Sequence, residues 1–473
     1  MIYDVIILGG GIAGMNCVYQ LLKKSPNAHI LLLEKDTTLG GRVYTAHTSY
    51  MDVEAGAGRF HSGQLHTIKL IRDLGLVSRM APITSNASYA DGSGKFISSV
   101  LNPSITEKTT PRKKSIVSTI ATNAFPDVEP TIMAMVDHLF GKEALPNAWL
   151  IAKIVIGSYL EEEETLMNIS LLDFAKKILN EAEVELLQNS FGYYSELVIM
   201  NAKDALHLIV AHLTPQNAFY VLNGGLSQLI TKMESFILKH MHARILKNRQ
   251  VNHIRHITWK GEDMFEISCS NVNTIYYGKQ CICALPKSVV EKIGYFSRIS
   301  PMLSKIKCAP LCRIYSKFPT QDTNLDGKKI YGPWFKGLPK LTSNSNLRMV
   351  IPMNERNGLI MSSYSDNKFA KFWKRLYDKE GESGVNRELI RLLHKNTGRS
   401  IPMPIKTEVY YWDCGVGYWG VGADSAKIAK ALIQPYGESV AMFLCGEHYS
   451  EKNQQWIEGA LETSMKVVSR ITL

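Results

Sequence analysis

The 473-residue sequence has eight cysteines but no C-x-x-C pair, the spacing that marks most zinc and dithiol motifs. We therefore predict no metal site. Scattered cysteines without such a motif favour a reduced, intracellular setting, most simply the cytoplasm. Cys281 and Cys283 lie two apart in an apolar run, so we expect both side chains to face one side of a strand and pack in the core.

Long apolar segments are also missing. No run reaches the ~18 apolar residues that a membrane-spanning helix needs. The sequence enters its first apolar strand pattern at Tyr3, without a charged leader and apolar h-region. These absences predict neither a membrane span nor secretion.

The charge is basic but not patterned for nucleic acid. The net charge is +11, and the densest basic cluster, Lys108 with Arg112–Lys114, lies among Thr, Ser and Pro residues that indicate an exposed loop. No aromatic residues alternate with these charges, so we predict no specific nucleic-acid binding. The length, with 45% hydrophobic residues, favours two joined globular domains.

The N-terminal residues carry the most informative pattern. An apolar run, Tyr3–Leu8, passes directly into Gly9, Gly11 and Gly14 of a G-x-G-x-x-G turn. Such glycines allow the tight turn, the approach of a pyrophosphate and the packing of helix on strand. A second apolar run ends at Glu34, where an acid would accept hydrogen bonds from a ribose. Together they predict a βαβ dinucleotide site, and a ligand-free glycine turn is the plain alternative.

Three further motifs follow in order along the chain. They are Gly40-Gly41-Arg42, the segment Val53–His61, and a C-terminal pair formed by Gly446-Glu447-His448 and Trp456–Ser464. With them the chain resembles the flavin-containing amine oxidase family, which includes L-amino-acid, monoamine and polyamine oxidases. The resemblance extends over almost the whole chain.

The resemblance implies an α/β fold in two domains. A discontinuous, Rossmann-like FAD-binding domain of the GR2 type would take residues 1–78, 223–288 and 421–473. An α+β substrate domain, whose sheet covers the flavin, would take 79–222 and 289–420. The stretch from about Pro82 to Tyr220 reads as mostly helical, with Ser170 as the cap of one helix.

The same resemblance implies the cofactor contacts. Members with covalent flavin carry a cysteine at the position of Gly417, so we expect noncovalent FAD here. The residues matching the family's FAD contacts are Gly9, Gly11, Ile12, Ala13, Gly14, Glu34, Lys35, Gly41, Arg42, Gly56, Ala57, Gly58, Arg59, Val251, Gly446, Glu447, Trp456, Ile457 and Ala460.

The implied reaction is amine oxidation. Hydride would pass from the carbon of a neutral amine or amino acid to flavin N5, and dioxygen would then reoxidise the flavin and yield hydrogen peroxide. Tyr418 and Trp456 match the two aromatic residues that flank the amine, where facing rings orient it and attract its cationic form. A homodimer is left open as the assembly.

Two departures concern the remaining site residues. Arg313 stands where many members place a catalytic lysine, although Lys307 or Lys317 would take that position in other alignments. The substrate type is also divided. Arg59, with Tyr193 and Tyr194, resembles L-amino-acid oxidases, where the arginine would hold a carboxylate. His61 instead resembles polyamine oxidases, and Ile351 replaces the tyrosine that would complete the carboxylate clamp.

These departures keep two alternatives open. One is a flavoprotein whose oxidase activity has lapsed and which serves a binding or structural role. The other is a desaturase or a protoporphyrinogen-oxidase-like flavoenzyme, which would share the N-terminal motifs but explain the aromatic pair less well. A contact between Arg59 and the flavin is likewise an alternative to carboxylate binding.

Overall fold

A computed structural model describes residues 2–83, 87–97, 128–140, 147–212, 217–323 and 329–473. Within these residues the strands, β1 to β21 in chain order, are Ile2–Leu8, Ile30–Leu33, Thr45–His47, Asp52–Glu54, Phe60–His61, Met80–Ile83, Ser88–Ala90, Phe96–Ile97, Phe219–Leu222, Ala243–Leu246, Val251–Trp259, Glu262–Cys269, Val272–Cys283, Ile306–Lys317, Gln321–Thr323, Lys329–Tyr331, Leu341–Ser343, Met349–Asn354, Leu359–Asp366, Lys406–Trp419 and Met442–Leu444. The α-helices, α1 to α15, are Ile12–Lys24, Leu65–Asp73, Val128–Phe140, Ala148–Ser158, Glu163–Met167, Leu171–Ile178, Glu181–Ser190, Tyr194–Ile199, Ala202–His212, Ser227–Ile237, Lys287–Val290, Ser300–Leu303, Asn367–Thr397, Ser425–Ile433 and Ile457–Val468.

The first sheet is built from distant parts of the chain. Its strand order is β10-β2-β1-β13-β12-β11, and β21 also pairs with β13. The pairs around β1, β2, β10 and β21 are parallel, whereas β11, β12 and β13 form an antiparallel meander. Val5 to Leu8 of β1 are fully buried, as expected for a continuous apolar run in a parallel sheet covered on both faces.

Helices α1, α10 and α15 cover one face of this sheet. Their apolar residues share one core cluster with β1 and β2, in which Leu21, Leu229 and Leu461 meet Val5 and Leu32. An N-terminal and a C-terminal helix therefore complete the same layer. The expected Rossmann-like dinucleotide fold is confirmed, and strands β10 to β13 and β21 show that its sheet is discontinuous in sequence.

The second sheet has the order β20-β14-β19-β18-β17-β7-β8. Its central pair, β14 and β20, runs antiparallel from Ile306↔Trp419 to Lys317↔Lys406. The long helix α13 packs on one side. The helices between residues 148 and 212 form a separate apolar core that receives Tyr418 from β20.

The described residues of 82–220 are mostly helical, as expected. Ser170 accepts a hydrogen bond from the N–H of Asp173 and caps α6, as expected. Residues 88–90 and 96–97, however, form β7 and β8 at the edge of the second sheet. The sequence did not predict these two short strands, because the pairing of β7 with β17 is a long-range contact that local periodicity does not report. The basic cluster at Lys108 and Arg112–Lys114 lies outside the described residues.

One pair of cysteines differs from the reduced setting that the sequence predicts. Cys308 of β14 and Cys414 of β20 form a disulfide with an S–S distance of 2.01 Å, and the other six cysteines are free and buried. The two partners are 106 residues apart in sequence, and only the pairing of their strands brings them together. Cys281 and Cys283 are buried in one core cluster, as expected.

Helix α1 can approach β1 only because residue 14 is glycine. A Cβ there would lie 2.0 Å from the carbonyl oxygen of Gly9, whereas a Cβ at Gly294 would meet nothing within 4 Å. We predict that Gly14→Ala lowers the free energy of unfolding by about 1–3 kcal/mol through overpacking, and lowers the amount of FAD retained.

The matched control, Gly294→Ala, should stay within about 0.5 kcal/mol of wild type. Urea unfolding followed by fluorescence, with the FAD content measured beforehand, checks both variants. Equal unfolding midpoints for the two would contradict the packing argument.

Candidate active site

The N-terminal glycine turn leaves an open surface at one position. Gly9 has a φ of 100°, and a Cβ at Gly10 would lie 2.6 Å from Leu39. A Cβ at Gly11, by contrast, would meet only the carbonyl oxygen of Gly40 at 3.9 Å. No side chain caps the N-terminus of α1. Its N–H groups and the open face of Gly11 therefore form a cradle that fits a pyrophosphate.

Glu34 closes the other side of this turn. Its carboxylate accepts hydrogen bonds from the N–H groups of Gly10 (2.6 Å) and Asp36 (2.9 Å). Its backbone oxygen accepts from the N–H of Arg249, two residues before Val251 begins β11. Val251 is thus placed beside the end of β2. Lys35 is exposed and pairs with Asp36 at 3.8 Å.

Arg42 and Glu447, expected as separate cofactor contacts, bind each other. Nη1 of Arg42 lies 2.7 Å from Oε2 of Glu447 and also donates to the backbone oxygen of Gly415. The other oxygen of Glu447 accepts from the N–H groups of Gly417 (2.9 Å) and Gln455. Burial opposes ionisation, but His448, Arg42 and these donors lower the pKa of Glu447. This carboxylate therefore joins the G-G-R turn, β20 and the C-terminal motif.

His448 was not assigned a role from the sequence. Its Nδ1 accepts a hydrogen bond from the N–H of Lys287 at 3.0 Å, and its Nε2 lies 3.1 Å from Arg42 Nη1. Burial lowers the pKa of His448 to about 4, so the ring is neutral at neutral pH. A Cβ at Gly417 would lie 2.9 Å from its Cδ2. His448 thus occupies the space that a side chain at position 417 would need.

The segment Val53–His61 lies against Arg42 and the second sheet. A Cβ at Gly56 would lie 1.9 Å from the backbone oxygen of Arg42, to which the N–H of Ala57 donates at 2.8 Å. The carboxylate of Glu54 accepts from the N–H of Leu226, at the start of α10. These contacts fix the segment that carries Gly58, Arg59 and His61 next to the glycine turns.

Arg313 reaches this segment from β14. Its Nη1 donates to the backbone oxygen of Glu54 at 2.7 Å and would lie 3.0 Å from a Cβ at Gly58. Its guanidinium is 4.6 Å from the ring centre of Tyr364. Burial disfavours its charge, but neighbouring phenols raise the pKa of Arg313, so it stays protonated. Its catalytic assignment stays a prediction.

The alternative lysines lie elsewhere. Nζ of Lys307 donates to the backbone oxygen of Ser304, and Nζ of Lys317 donates to that of Tyr50. Both side chains therefore point to the ends of β14, while Arg313 lies between them at its centre. Ile351 packs with Met361 and Tyr364 in a small apolar cluster.

Arg59, His61 and Trp456 converge, although the last lies almost 400 residues from the others. The guanidinium of Arg59 is 4.9 Å from the ring centre of Phe219 and 5.7 Å from that of Trp456. Its Nη2 donates to the hydroxyl of Tyr193 at 3.2 Å. The rings of His61 and Trp456 are edge to face at 5.3 Å. A guanidinium that packs on aromatic faces keeps its positive charge and can still attract an anionic group.

His212 also belongs to this cluster, although sequence analysis missed it. Its Nδ1 lies 2.7 Å from Nε2 of His61, and its ring stacks on Trp456 at 5.3 Å. Burial lowers the pKa of His61 to about 4 and that of His212 to about 3. Both rings are therefore neutral at neutral pH. No spacing in the sequence could have shown this pair, because α9 carries His212 151 residues from His61.

Tyr418 lies on the other side of Tyr193, in the core of the helical layer. It is 1% exposed. Burial, and then the carboxylates of Asp366 and Glu196, raise the pKa of Tyr418. Among the described residues its ring makes no direct contact with Trp456. The expectation that the two rings face each other across a ligand stays a prediction.

Glu196 is the second residue that sequence analysis missed. It is 5% exposed, and none of the described residues donates a hydrogen bond to its carboxylate. Asp366, its neighbour, accepts from the N–H groups of Tyr194 and Ser195 and so satisfies the N-terminus of α8. Burial and repulsion by Asp366 raise the pKa of Glu196 to about 8, and Arg59 opposes the shift. A carboxyl with a raised pKa therefore lies near Arg59, Tyr193 and Tyr418.

The C-terminal motif supplies the rest of the site. Gly446 has a φ of 138° and donates its N–H to Thr463. Ile457 and Ala460, in the first turns of α15, pack in the core beneath the glycine turn. Glu458 accepts from the N–H groups of His66 and Thr67, and so caps α2. Its role is structural.

Comparisons with known proteins agree with this geometry. A family model described as flavin containing amine oxidoreductase matches residues 12–472, and the chain belongs to this family. It is 20% identical over 491 residues to Uncharacterized protein R188 of Acanthamoeba polyphaga mimivirus, covering 98% of this chain and 92% of that protein. A shorter match, 33% identical over 75 residues, links it to amine oxidase [flavin-containing] A of Bos taurus, covering 16% of this chain and 14% of that protein.

Solved structures show the same fold. A double mutant of putrescine oxidase with redesigned cofactor binding matches with a TM-score of 0.68 at 14% identity, covering 100% of this chain and 99% of that one. A protein of Exiguobacterium sp. 255-15, described as a candidate protoporphyrinogen oxidase, matches with a TM-score of 0.65 at 16% identity, covering 99% and 98%.

The chain is therefore an FAD-dependent oxidoreductase of the flavin-containing amine oxidoreductase family. The open face at Gly11 and the uncapped N-terminus of α1 fit the FAD pyrophosphate. Among the described residues, no helix is both long and apolar enough to cross a membrane.

The raised pKa of Glu196 predicts a pH-dependent cost in stability. The ordinary pKa is 4.5 and the folded value about 8, so between these values the unfolded chain releases a proton that the folded chain keeps. Stability due to this group therefore falls as the pH rises through that window. We predict that Glu196→Gln is neutral near pH 4 and stabilising by about 2–4 kcal/mol above pH 8.

Unfolding midpoints in urea at pH 5, 7 and 9 measure this effect. Glu185→Gln, an exposed position on α7, is the matched control and should leave the pH dependence unchanged. If wild type and Glu196→Gln have the same pH dependence, the Glu196 carboxyl is ionised in the folded protein.

Proposed function

We propose that this protein oxidises an amine or amino acid at the cluster of Arg59, His61 and Trp456. Bound FAD would supply the electron acceptor, taking hydride from the substrate and passing electrons to dioxygen. The observation that carries the proposal is the ring contact between His61 and Trp456. It joins the segment expected beside the flavin to the aromatic position of the C-terminal motif.

The residues of this cluster would bind and orient the substrate. Trp456 offers a ring face and an apolar wall that excludes water, while the neutral His61–His212 pair can accept or donate a hydrogen bond without adding charge. Tyr418 would complete the aromatic pair from β20. Because the rings hold a neutral amine in place, hydride can leave its carbon without a base acting on that carbon.

The buried carboxyl of Glu196 supports a cationic substrate. An amine reaches the site mainly as ammonium, and it must lose a proton before hydride can leave. A carboxyl with a pKa of about 8 keeps its proton at neutral pH and accepts that of the ammonium group only as the pH approaches 8. Asp366 also favours a cationic substrate, because a cation between two carboxyl groups relieves their repulsion.

Noncovalent attachment of FAD is part of this proposal. The covalent members of the family use a cysteine at the position of Gly417, and here a Cβ would lie 2.9 Å from His448. His448 is held by Lys287 on one side and lies against Arg42 on the other. A larger residue at 417 would therefore displace two cofactor-binding motifs.

The substrate class depends on the role of Arg59. Its hydrogen bond to Tyr193 supports the L-amino-acid oxidase interpretation, in which guanidinium and phenol hold a carboxylate. The buried carboxyls of Glu196 and Asp366 support an amine without a carboxylate. Two alternatives remain. One is a lapsed oxidase, supported by Arg313 at the lysine position, and the other is a desaturase or a protoporphyrinogen-oxidase-like flavoenzyme, supported by the fold shared with the Exiguobacterium protein.

The amine-oxidase proposal predicts that substrate bleaches the flavin without dioxygen. On anaerobic mixing with a panel of amines and amino acids, Trp456→Ala should slow this bleaching by about tenfold or more, or ~1.4 kcal/mol of transition-state stabilisation, while FAD stays bound. Tyr418→Leu tests the second ring, because it removes the aromatic face and keeps a buried apolar side chain.

Trp259→Ala, at an exposed position on β11, is the control and should behave as wild type. A protein that binds FAD but is bleached by no compound of the panel would contradict the enzyme proposal and support the lapsed oxidase.

A second prediction separates the substrate classes. If Arg59 holds a carboxylate, Arg59→Lys should slow amino-acid oxidation by about tenfold, because lysine cannot make the bidentate contact. Simple amines should be affected little. The ratio of kcat/KM for an amino acid and its decarboxylated amine measures the difference, with Arg72→Lys on the exposed side of α2 as control. Equal losses for both substrates would make Arg59 a flavin contact.

A further inference from the structure

The backbone of Trp456 is fixed by contacts within the protein. Gln455, the residue before it, has a φ of 72°, in the left-handed region that non-glycine residues rarely adopt. The N–H of Gln455 donates to Glu447, the carboxylate that pairs with Arg42. Directly after Trp456 the chain enters α15. The freedom that remains to Trp456 is therefore the rotation of its side chain.

His212 covers one face of the Trp456 ring. The two rings stack with 5.3 Å between their centres and 28° between their planes. The other aromatic neighbours among the described residues, His61 and Phe219, meet the indole at 86° and 38°. Of these three rings, that of His212 lies closest to parallel with the indole. Its stack therefore opposes rotation of the Trp456 side chain.

His212 also holds the ring of His61. Its Nδ1 lies 2.7 Å from Nε2 of His61, and on the other side of that ring the N–H of Gly63 donates to Nδ1 at 3.2 Å. A neutral histidine that accepts at Nδ1 carries its proton on Nε2, so His61 donates to His212. Hydrogen bonds thus hold the His61 ring from both sides, with its plane nearly perpendicular to that of Trp456.

Helix α9 gives His212 a rigid support. Ala205 and Ile209 of this helix lie in the apolar core that also receives Tyr418. His212, at the last position of the helix, is 4% exposed. One buried side chain therefore links the helical layer to the segment Val53–His61 and to the C-terminal motif, three parts of the chain that are remote in sequence.

We propose that His212 is a positioning residue, which keeps the rings of Trp456 and His61 in the orientation that the substrate meets. The inference rests on the proposed function, because it takes Trp456 as a wall of the substrate site. A ring that is already held in place loses no rotational freedom when the substrate binds. Without His212, binding has to order the ring, so the affinity falls while the reaction of the bound substrate changes little.

Anaerobic bleaching of the flavin in the holoprotein separates these two quantities. The donor is the compound of the amine and amino-acid panel that bleaches wild type fastest, and its concentration is varied. His212→Ala removes both the stack and the hydrogen bond. It should raise the half-saturating concentration about fivefold or more and leave the limiting rate within about twofold of wild type.

Two conservative variants test the two contacts separately. His212→Phe keeps a ring on Trp456 and loses the hydrogen bond to His61, whereas His212→Asn keeps a polar group near the position of Nδ1 and loses the stack. Each should recover part of the affinity that His212→Ala loses. His207→Asn, at an exposed position of the same helix, is the matched control and should behave as wild type. An unchanged half-saturating concentration in His212→Ala, or a fall in the limiting rate alone, would overturn the proposal.

A second measurement does not depend on turnover. The holoprotein is labelled with 5-fluorotryptophan, and its fluorine NMR signal from Trp456 is identified by comparison with Trp456→Phe. In His212→Ala this signal should broaden or split, as expected for a ring that samples more than one orientation, whereas His207→Asn should keep the single wild-type signal.

The two measurements distinguish failure of this proposal from failure of the proposed function. If no compound of the panel bleaches wild type, the amine-oxidase proposal fails, and a broadened or split signal still supports the hold of His212 on Trp456. If amines bleach the flavin and the signal of His212→Ala is as narrow and single as in wild type, the positioning role fails and the amine-oxidase proposal stands.

Discussion

The buried ion pair between Arg42 and Glu447 is the constraint on which the site depends. Glu447 is 5% exposed, and an unpaired carboxylate at that depth would cost several kcal/mol. It is satisfied only when the G-G-R turn supplies Arg42 and the backbones of β20 and of the C-terminal motif supply the N–H groups of Gly417 and Gln455. Both sheets and both ends of the chain must therefore be in place before this charge is balanced.

Two further carboxylates act in the same way at shorter range. Glu54 caps α10 while its backbone oxygen receives Arg313 and Tyr315. Glu458 caps α2 from the first turn of α15. Each places an acid at a helix N-terminus, whose N–H groups it accepts from, although burial still raises the pKa of Glu54. The acids of the motifs thus hold the elements in position. The surface at Gly11 stays open for the cofactor pyrophosphate.

On the substrate side of the site, the arginines contact aromatic rings instead of carboxylates. Arg59 and Arg313 lie on aromatic rings, whereas Glu196 has no donor among the described residues and its pKa is raised to about 8. A carboxyl whose pKa is raised by burial lowers stability once the pH exceeds its ordinary pKa. Arg59, which donates to Tyr193 and lies near Glu196, also lies on the ring of Trp456.

The sequence by itself determined the dinucleotide fold and its motifs. Gly9, Gly14 and Gly56 are fixed by local geometry, because a Cβ at Gly14 or Gly56 would lie within about 2 Å of a backbone oxygen. Continuous apolar runs likewise determined β1 and β2. The edge strands β7 and β8, by contrast, depend on β17, which lies some 250 residues away in sequence.

Only the tertiary structure decided which site residues meet. Three interactions join residues from separate elements: the contact between His61 and His212, the repulsion between Glu196 and Asp366, and the bond between Cys308 and Cys414. Their chemistry depends on burial and on distances across strands and helices, neither of which has a fixed spacing along the chain. The sequence could name Arg42 and Glu447 as cofactor contacts, but that they bind each other follows from the packing of two sheets that no local pattern records.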